Sequence, residues 1–252
     1  MKHRTSVLKT KTLPLVTGYF CVFLPYQCFF TTSFFSSFIT ESPGISAMDI
    51  CFALSTSDLD ATKTLKKMQE AVKSIIEKYK EYEQIHYSVL PFGSRPVNEI
   101  GFDEQFDSLE RLMERVMSFP QPAGPPDLVK ALKRAEELFE KAPPRPRVKK
   151  FLVVFLGSKS VNDLGALSNA SRPLVKKEIK IISVVVGRES DPRELSKIVP
   201  NKGNLVDAKK ISDDPERLGH EVMTVVLKGE SFRSTINSLI CRAGDWGGGK
   251  GQ

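Results

Sequence analysis

Side chains that carry chemistry are scarce in this sequence. Three histidines, four cysteines and one tryptophan are all that 252 residues contain. Cys21, Cys28, Cys51 and Cys241 have neither the close cysteine spacing nor the paired histidines of a zinc site, so no metal centre of that kind is expected. The Gly-x-Ser-x-Gly elbow of a serine hydrolase is absent, and no carboxylate pair reads as an acid and a base. Of the histidines, His3 lies in the first segment, His86 in an apolar strand pattern and His220 on a helix pattern, where surface or packing roles are the expectation. Gly157-Ser-Lys-Ser160 follows an apolar run, as a phosphate loop does. Val153 nevertheless stands where the first glycine of that loop is required, and no glycine directly precedes Lys159. The chain is read as a non-enzyme with no cofactor.

A clustered positive charge is also missing. The net charge is +7, but residues 1–47 hold four bases against one acid and residues 229–252 three against two, which leaves 30 bases against 27 acids between them. Those charges alternate along helix faces, with no aromatic residues set into a basic stripe, and this excludes the usual nucleic-acid footprint.

What is present is uneven. Seven of the 16 phenylalanines fall before residue 40, and Lys2, Arg4, Lys9 and Lys11 precede a stretch from Leu13 to Ile39 with no charged residue. A basic start followed by an apolar run is the order of a secretory signal. Residues 1–47 are therefore set apart as a leader, with three readings open: a cleaved signal, a membrane anchor, or a coding start placed too early. Removal of the leader would leave Cys51 inside the first strand and Cys241 in the tail, where a link to another chain is expected. Asn169-Ala-Ser171 fits a glycosylation acceptor and agrees with export. Residues 229–252 end in a glycine-rich run that reads as a linker.

Between them, residues 48–228 alternate apolar runs of strand length with helical periodicity, which implies an α/β fold with a mostly parallel, doubly wound sheet. Strands are expected at Ile50–Leu54, Ile85–Phe92, Phe151–Leu156, Ile179–Val186 and Asn204–Asp207, with a short edge strand at Pro96–Gly101. Leu65, Met68, Val72, Ile75, Ile76 and Tyr79 recur at three- and four-residue spacing, predicting a helix over Ala61–Tyr82. Similar stripes predict helices from Phe106 to Val116, Pro126 to Lys141, Leu164 to Lys177 and Pro215 to Leu227, with a short turn at Arg193–Val199. Asp213 or Asp214 is placed to cap the last of these. Pro143-Pro-Arg-Pro146 reads as a stiff, exposed connector.

The order of these elements, and the sequence Asp49-Ile-Cys-Phe-Ala-Leu-Ser-Thr-Ser57 in particular, resembles the von Willebrand factor type A (VWA) domain family. That family usually writes Asp-x-Ser-x-Ser after its first strand and holds a divalent ion there with ligands from three loops. The resemblance places Ser55 at the aspartate position, Ser57 at one of the serines, Pro126 at the threonine and Gly157 at the second aspartate. Mg²⁺ normally demands one or two carboxylates, and none of these four is anionic, so the metal-ion-dependent adhesion site reads as degenerate. Asp58, Asp60, Asp127 and Asp163 stand nearby and would serve only after a shift in loop register. Asp58 and Asp127 precede or open helices and are read as caps.

The resemblance implies an extracellular module for protein binding or cell-matrix adhesion that works without an ion. Its expected binding rim is Ser55, Ser57, Asp58, Pro126, Asp127, Gly157 and Ser158. Two alternatives stand beside it: an assembly domain of a multidomain matrix protein linked through Cys241, and an intracellular scaffold.

Overall fold

The computed structural model describes residues 47–55 and 61–228, apart from 97, 105, 122, 189, 212 and 213. Residues 1–46, the tail 229–252 with Cys241, and loop residues Ser57 and Asp58 lie outside the described residues. Five strands form one sheet: β1 (Met48–Ser55), β2 (Ile85–Phe92), β3 (Lys149–Leu156), β4 (Lys180–Val185) and β5 (Leu205–Asp207). Every neighbouring pair is parallel, in the order β2-β1-β3-β4-β5. The helices are α1 (Ala61–Lys78), α2 (Leu109–Met117), α3 (Leu128–Lys141), α4 (Leu164–Lys176) and α5 (Pro192–Ile198), and residues 215–228 form a further helix, α6.

Strand parity divides the core in two. In β1, Met48, Ile50, Phe52 and Leu54 join Phe151, Val153 and Phe155 of β3 in a cluster with buried residues of α1, α2 and α6. The alternate residues Cys51 and Ala53, with Leu152, Val154 and Leu156, pack with residues of α3, α4 and α5. The unbroken apolar runs Ile50–Leu54 and Phe151–Leu156 are what strands covered on both faces require. Phe52 anchors the first cluster, stacked on Tyr87 at 6.2 Å and tilted against Phe155 at 6.4 Å.

Several boundaries move for local reasons. The second helix begins at Leu109 because the Ser108 side chain accepts the Arg111 N–H and caps it. The third begins at Leu128, with Asp127 as its cap. The edge strand expected at Pro96–Gly101 reduces to two isolated antiparallel bridges, Val89 to Ile100 and Phe92 to Pro96. The connector is exposed at Pro143, Pro144 and Pro146, as expected, but Arg145 within it is partly buried. Arg145 donates to Gln84 O at 3.0 Å and Met48 O at 2.8 Å and is paired with the buried Asp49, so it fastens the starts of β1 and β2.

Candidate functional site

The chain leaves β1 for β2 on one side and later returns to build β3 on the other. The sheet's topological switch point therefore lies between the C-terminal ends of β1 and β3, where open α/β sheets place their ligands. Ser55 and Gly157 meet there, joined by a 3.1 Å bond from Gly157 N–H to Ser55 O. Three of the sequence-expected loops converge on this end. The Asp127 N–H donates to Gly93 O at 2.8 Å, and the Val161 N–H donates to Pro126 O at 3.1 Å.

Packing around Gly157 is tight. A Cβ on Gly157 would lie 2.7 Å from Ser55 O and 3.2 Å from both Met68 Cε and Thr64 Cγ2. A Cβ on Gly187 would fall 1.4 Å from Gly157 O, so the chain after β4 crosses directly over the loop after β3. Ser55 is fully buried, and its Oγ has no hydrogen-bond partner among the described residues. Ser158 is buried too.

The nearby carboxylates have other work. Asp127 Oδ1 accepts the Lys130 N–H and Asn162 Nδ2, each at 3.1 Å, while Oδ2 pairs with Lys130 Nζ at 2.9 Å. Partial burial opposes ionisation of Asp127, but the Lys130 and Asn162 bonds outweigh it and hold its carboxyl below the usual value. Asp163 caps α4 by accepting the Ala166 N–H at 2.8 Å. The Asp127 cap agrees with the sequence reading.

Two residues that the sequence reading missed tie the loops together. Asn162 Oδ1 accepts the Val129 N–H at 3.0 Å and the Ser160 hydroxyl at 2.8 Å. Glu194, buried on α5, accepts the Ser160 N–H at 2.9 Å. Burial raises the Glu194 pKa, against the pull of that backbone donor. Asn162 lies two residues after Ser160, a spacing that favours local turns. Glu194 gave no local signal, because its partner is 34 residues away. A carboxylate seated on the Ser160 N–H also occupies a donor that a phosphate loop would need, which agrees with the rejection of nucleotide binding.

At the rim's outer surface, Val161 is 58% exposed and Leu164 40%, two of the four large apolar side chains exposed among the described residues. Pro125 is exposed too, one residue before Pro126, whose carbonyl accepts the Val161 N–H. No group of three His, Cys, Asp or Glu suited to a metal occurs among the described residues. Elsewhere, burial pushes the Cys51 thiol up to about 12, the state of a packed and unreactive cysteine. His86 is held below its usual value, first by burial and then by the Arg145 charge.

The family profile of the von Willebrand factor type A domain matches residues 49–216. The chain belongs to that family. VWA domains are typically protein-interaction or matrix modules and generally not enzymes. Among solved structures, this VWA domain is similar to proximal thread matrix protein 1 of the mussel byssus, at 15% identity and a TM-score of 0.63, over 73% of this chain and 48% of that one. A second structure of that protein, with a zinc-occupied MIDAS motif, matches at 17% identity and a TM-score of 0.58, over 72% and 46%. A von Willebrand factor type A structure from Catenulispora acidiphila matches at 14% and 0.53, over 70% and 43%. The chain thus spans less than half the length of these structures, and likeness at such identity speaks to the fold alone. The expected α/β class is confirmed by the sheet and by these matches.

Proposed function

We propose that this VWA domain is a non-enzymatic, extracellular interaction module whose rim binds a protein or matrix partner without a divalent ion. One observation carries the reading. At the three matched ligand positions within the described residues, Ser55, Pro126 and Gly157, the only side-chain oxygen is a neutral, fully buried hydroxyl. A Mg²⁺ site leans on carboxylates, and Asp127 has both oxygens engaged in capping α3 and holding Lys130. Partner contact then falls to shape and apolar surface, with Val161, Leu164 and Pro125 as the exposed apolar part of the rim.

The test is binding of a candidate partner captured from matrix extract, measured with and without chelator. The expected result is equal retention in both, with loss in a Val161→Ser, Leu164→Ser double variant. Retention that needs Mg²⁺ or Mn²⁺ overturns the ion-free reading.

A second reading is favoured by the likeness to a byssus matrix protein: an assembly domain of a longer matrix protein, linked through Cys241. Non-reducing electrophoresis would then show a linked species that reductant removes. Export would also make Asn169 available for glycosylation. It sits exposed on α4, while the Ser171 hydroxyl of the same triplet is buried and donates to Ser168 O, so attachment would precede folding. Among the described residues no helix is long and apolar enough to cross a membrane.

A further inference from the structure

We propose that the groove between α4 and α5 docks an acidic protein segment carrying an apolar side chain between its carboxylates. This site is independent of the rim. Helix α4 starts at the rim with Leu164, and Arg172 to Lys176 lie eight to twelve residues further on, roughly 12–18 Å down the helix axis.

The groove encloses about 220 Å³ and is lined by Arg172, Val175, Lys176, Lys197, Val199 and Pro200, with Ser168, Ser171 and Ile198. This is smaller than the roughly 300–1,000 Å³ of a small-molecule site, but it suits a single large apolar side chain. Val175, 40% exposed, provides an apolar wall, and the buried Ile198 and Val199 lie beneath.

Charge decides the partner. The lining holds three cations and no carboxylate. Arg172, Lys176 and Lys197 form no ion pair among the described residues, whereas adjacent cations are already engaged: Lys177 with Glu136 and Glu140, and Arg193 with Asp191. Three unpaired positive charges around an apolar floor are complementary to carboxylates flanking an apolar anchor. A purely polyanionic ligand would leave Val175 and Pro200 without contact, and an uncharged apolar ligand would leave the cations unanswered.

The experiment is selection of a displayed random-peptide library on the full chain, followed by fluorescence polarisation of the enriched peptides. Enrichment of sequences with an apolar residue between Asp or Glu residues is expected. Their affinity should fall about tenfold or more in the Arg172→Ala, Lys176→Ala, Lys197→Ala variant. It should weaken with added salt and also fall in Val175→Asp. The rim variant Val161→Ser, Leu164→Ser should bind them unchanged, which separates this site from the rim proposal. Circular dichroism and melting temperature establish that each variant is folded. Enriched peptides without acidic residues, affinity indifferent to the triple variant, or heparin oligosaccharide binding this groove more tightly than any acidic peptide would each overturn the proposal.

Discussion

Replacing Ser55 by alanine separates a vestigial ion ligand from a working one. The hydroxyl is fully buried and lacks a partner among the described residues. Burying a hydroxyl without compensation costs about 1–3 kcal/mol on mutational scales. Alanine removes that cost and leaves a gap of one oxygen atom, whose lost contacts offset part of the gain. The expected net effect is a stabilisation of about 1 kcal/mol, or roughly 2–4 °C in melting temperature for a domain of this size. Thermal and urea denaturation of the full chain, run in chelator and in millimolar Mg²⁺ or Mn²⁺, reads it directly. If the hydroxyl held an ion, the parent would gain about 2.7 kcal/mol at an ion concentration a hundred times its dissociation constant, and Ser55→Ala would forfeit that gain. A variant less stable than the parent only when ion is present would refute the ion-free reading. One less stable under all conditions would show that the hydroxyl has a partner after all.

Two further outcomes test the scaffold. Arg145→Ala leaves Asp49, 2% exposed, without its cation and frees the Met48 and Gln84 carbonyls, so a loss of about 3–5 kcal/mol is expected. The double change Asp49→Leu, Arg145→Met should cost less than Arg145→Ala alone, and a loss under about 1 kcal/mol in the single variant would remove the fastener from the argument. Glu194 has a raised carboxyl pKa in the fold, so its contribution is fully present below its ordinary value of 4.5 and declines as pH rises through the higher folded value. Glu194→Gln keeps an acceptor for Ser160 and should match the parent in acid, then become relatively more stable towards neutral pH. Urea melts across that range check it, and a variant less stable at neutral pH contradicts the assignment. Asp127 runs the opposite way: its lowered pKa gives stability that is present above its ordinary 3.8 and lost as pH falls through the folded value.

What was legible in the sequence was local. Ile85–Phe92 is bounded as expected because a run of apolar residues ending at Gly93 leaves little choice of register. Asp127 and Asp163 could be read as caps because a cap and the amide it accepts lie three residues apart. Asn162 and Glu194 could not, since their partners arrive only when the loop after β3 folds against α3 and α5. The same holds for Arg145: the prolines around it announce a rigid connector, but nothing nearby in the chain tells of Asp49, 96 residues away. The neutral residues Ser55, Pro126 and Gly157 were visible at the positions the resemblance matches to ion ligands. The close approach of Gly187 to Gly157 was not, because the two lie on loops that meet only in the folded sheet.

The position of β1 has a mechanical consequence. All eight of its residues pair with β2 on one flank and β3 on the other, and Ala47 O accepts the Lys149 N–H at 2.9 Å at the point of entry. Tension applied to β1 along the strand axis would load both ladders together in shear, where the same pull on an edge strand would load only one. Rupture under such a pull is governed by the rate of unfolding, and the Arg145 bonds to Met48 and Asp49 raise the resistance where the force first enters.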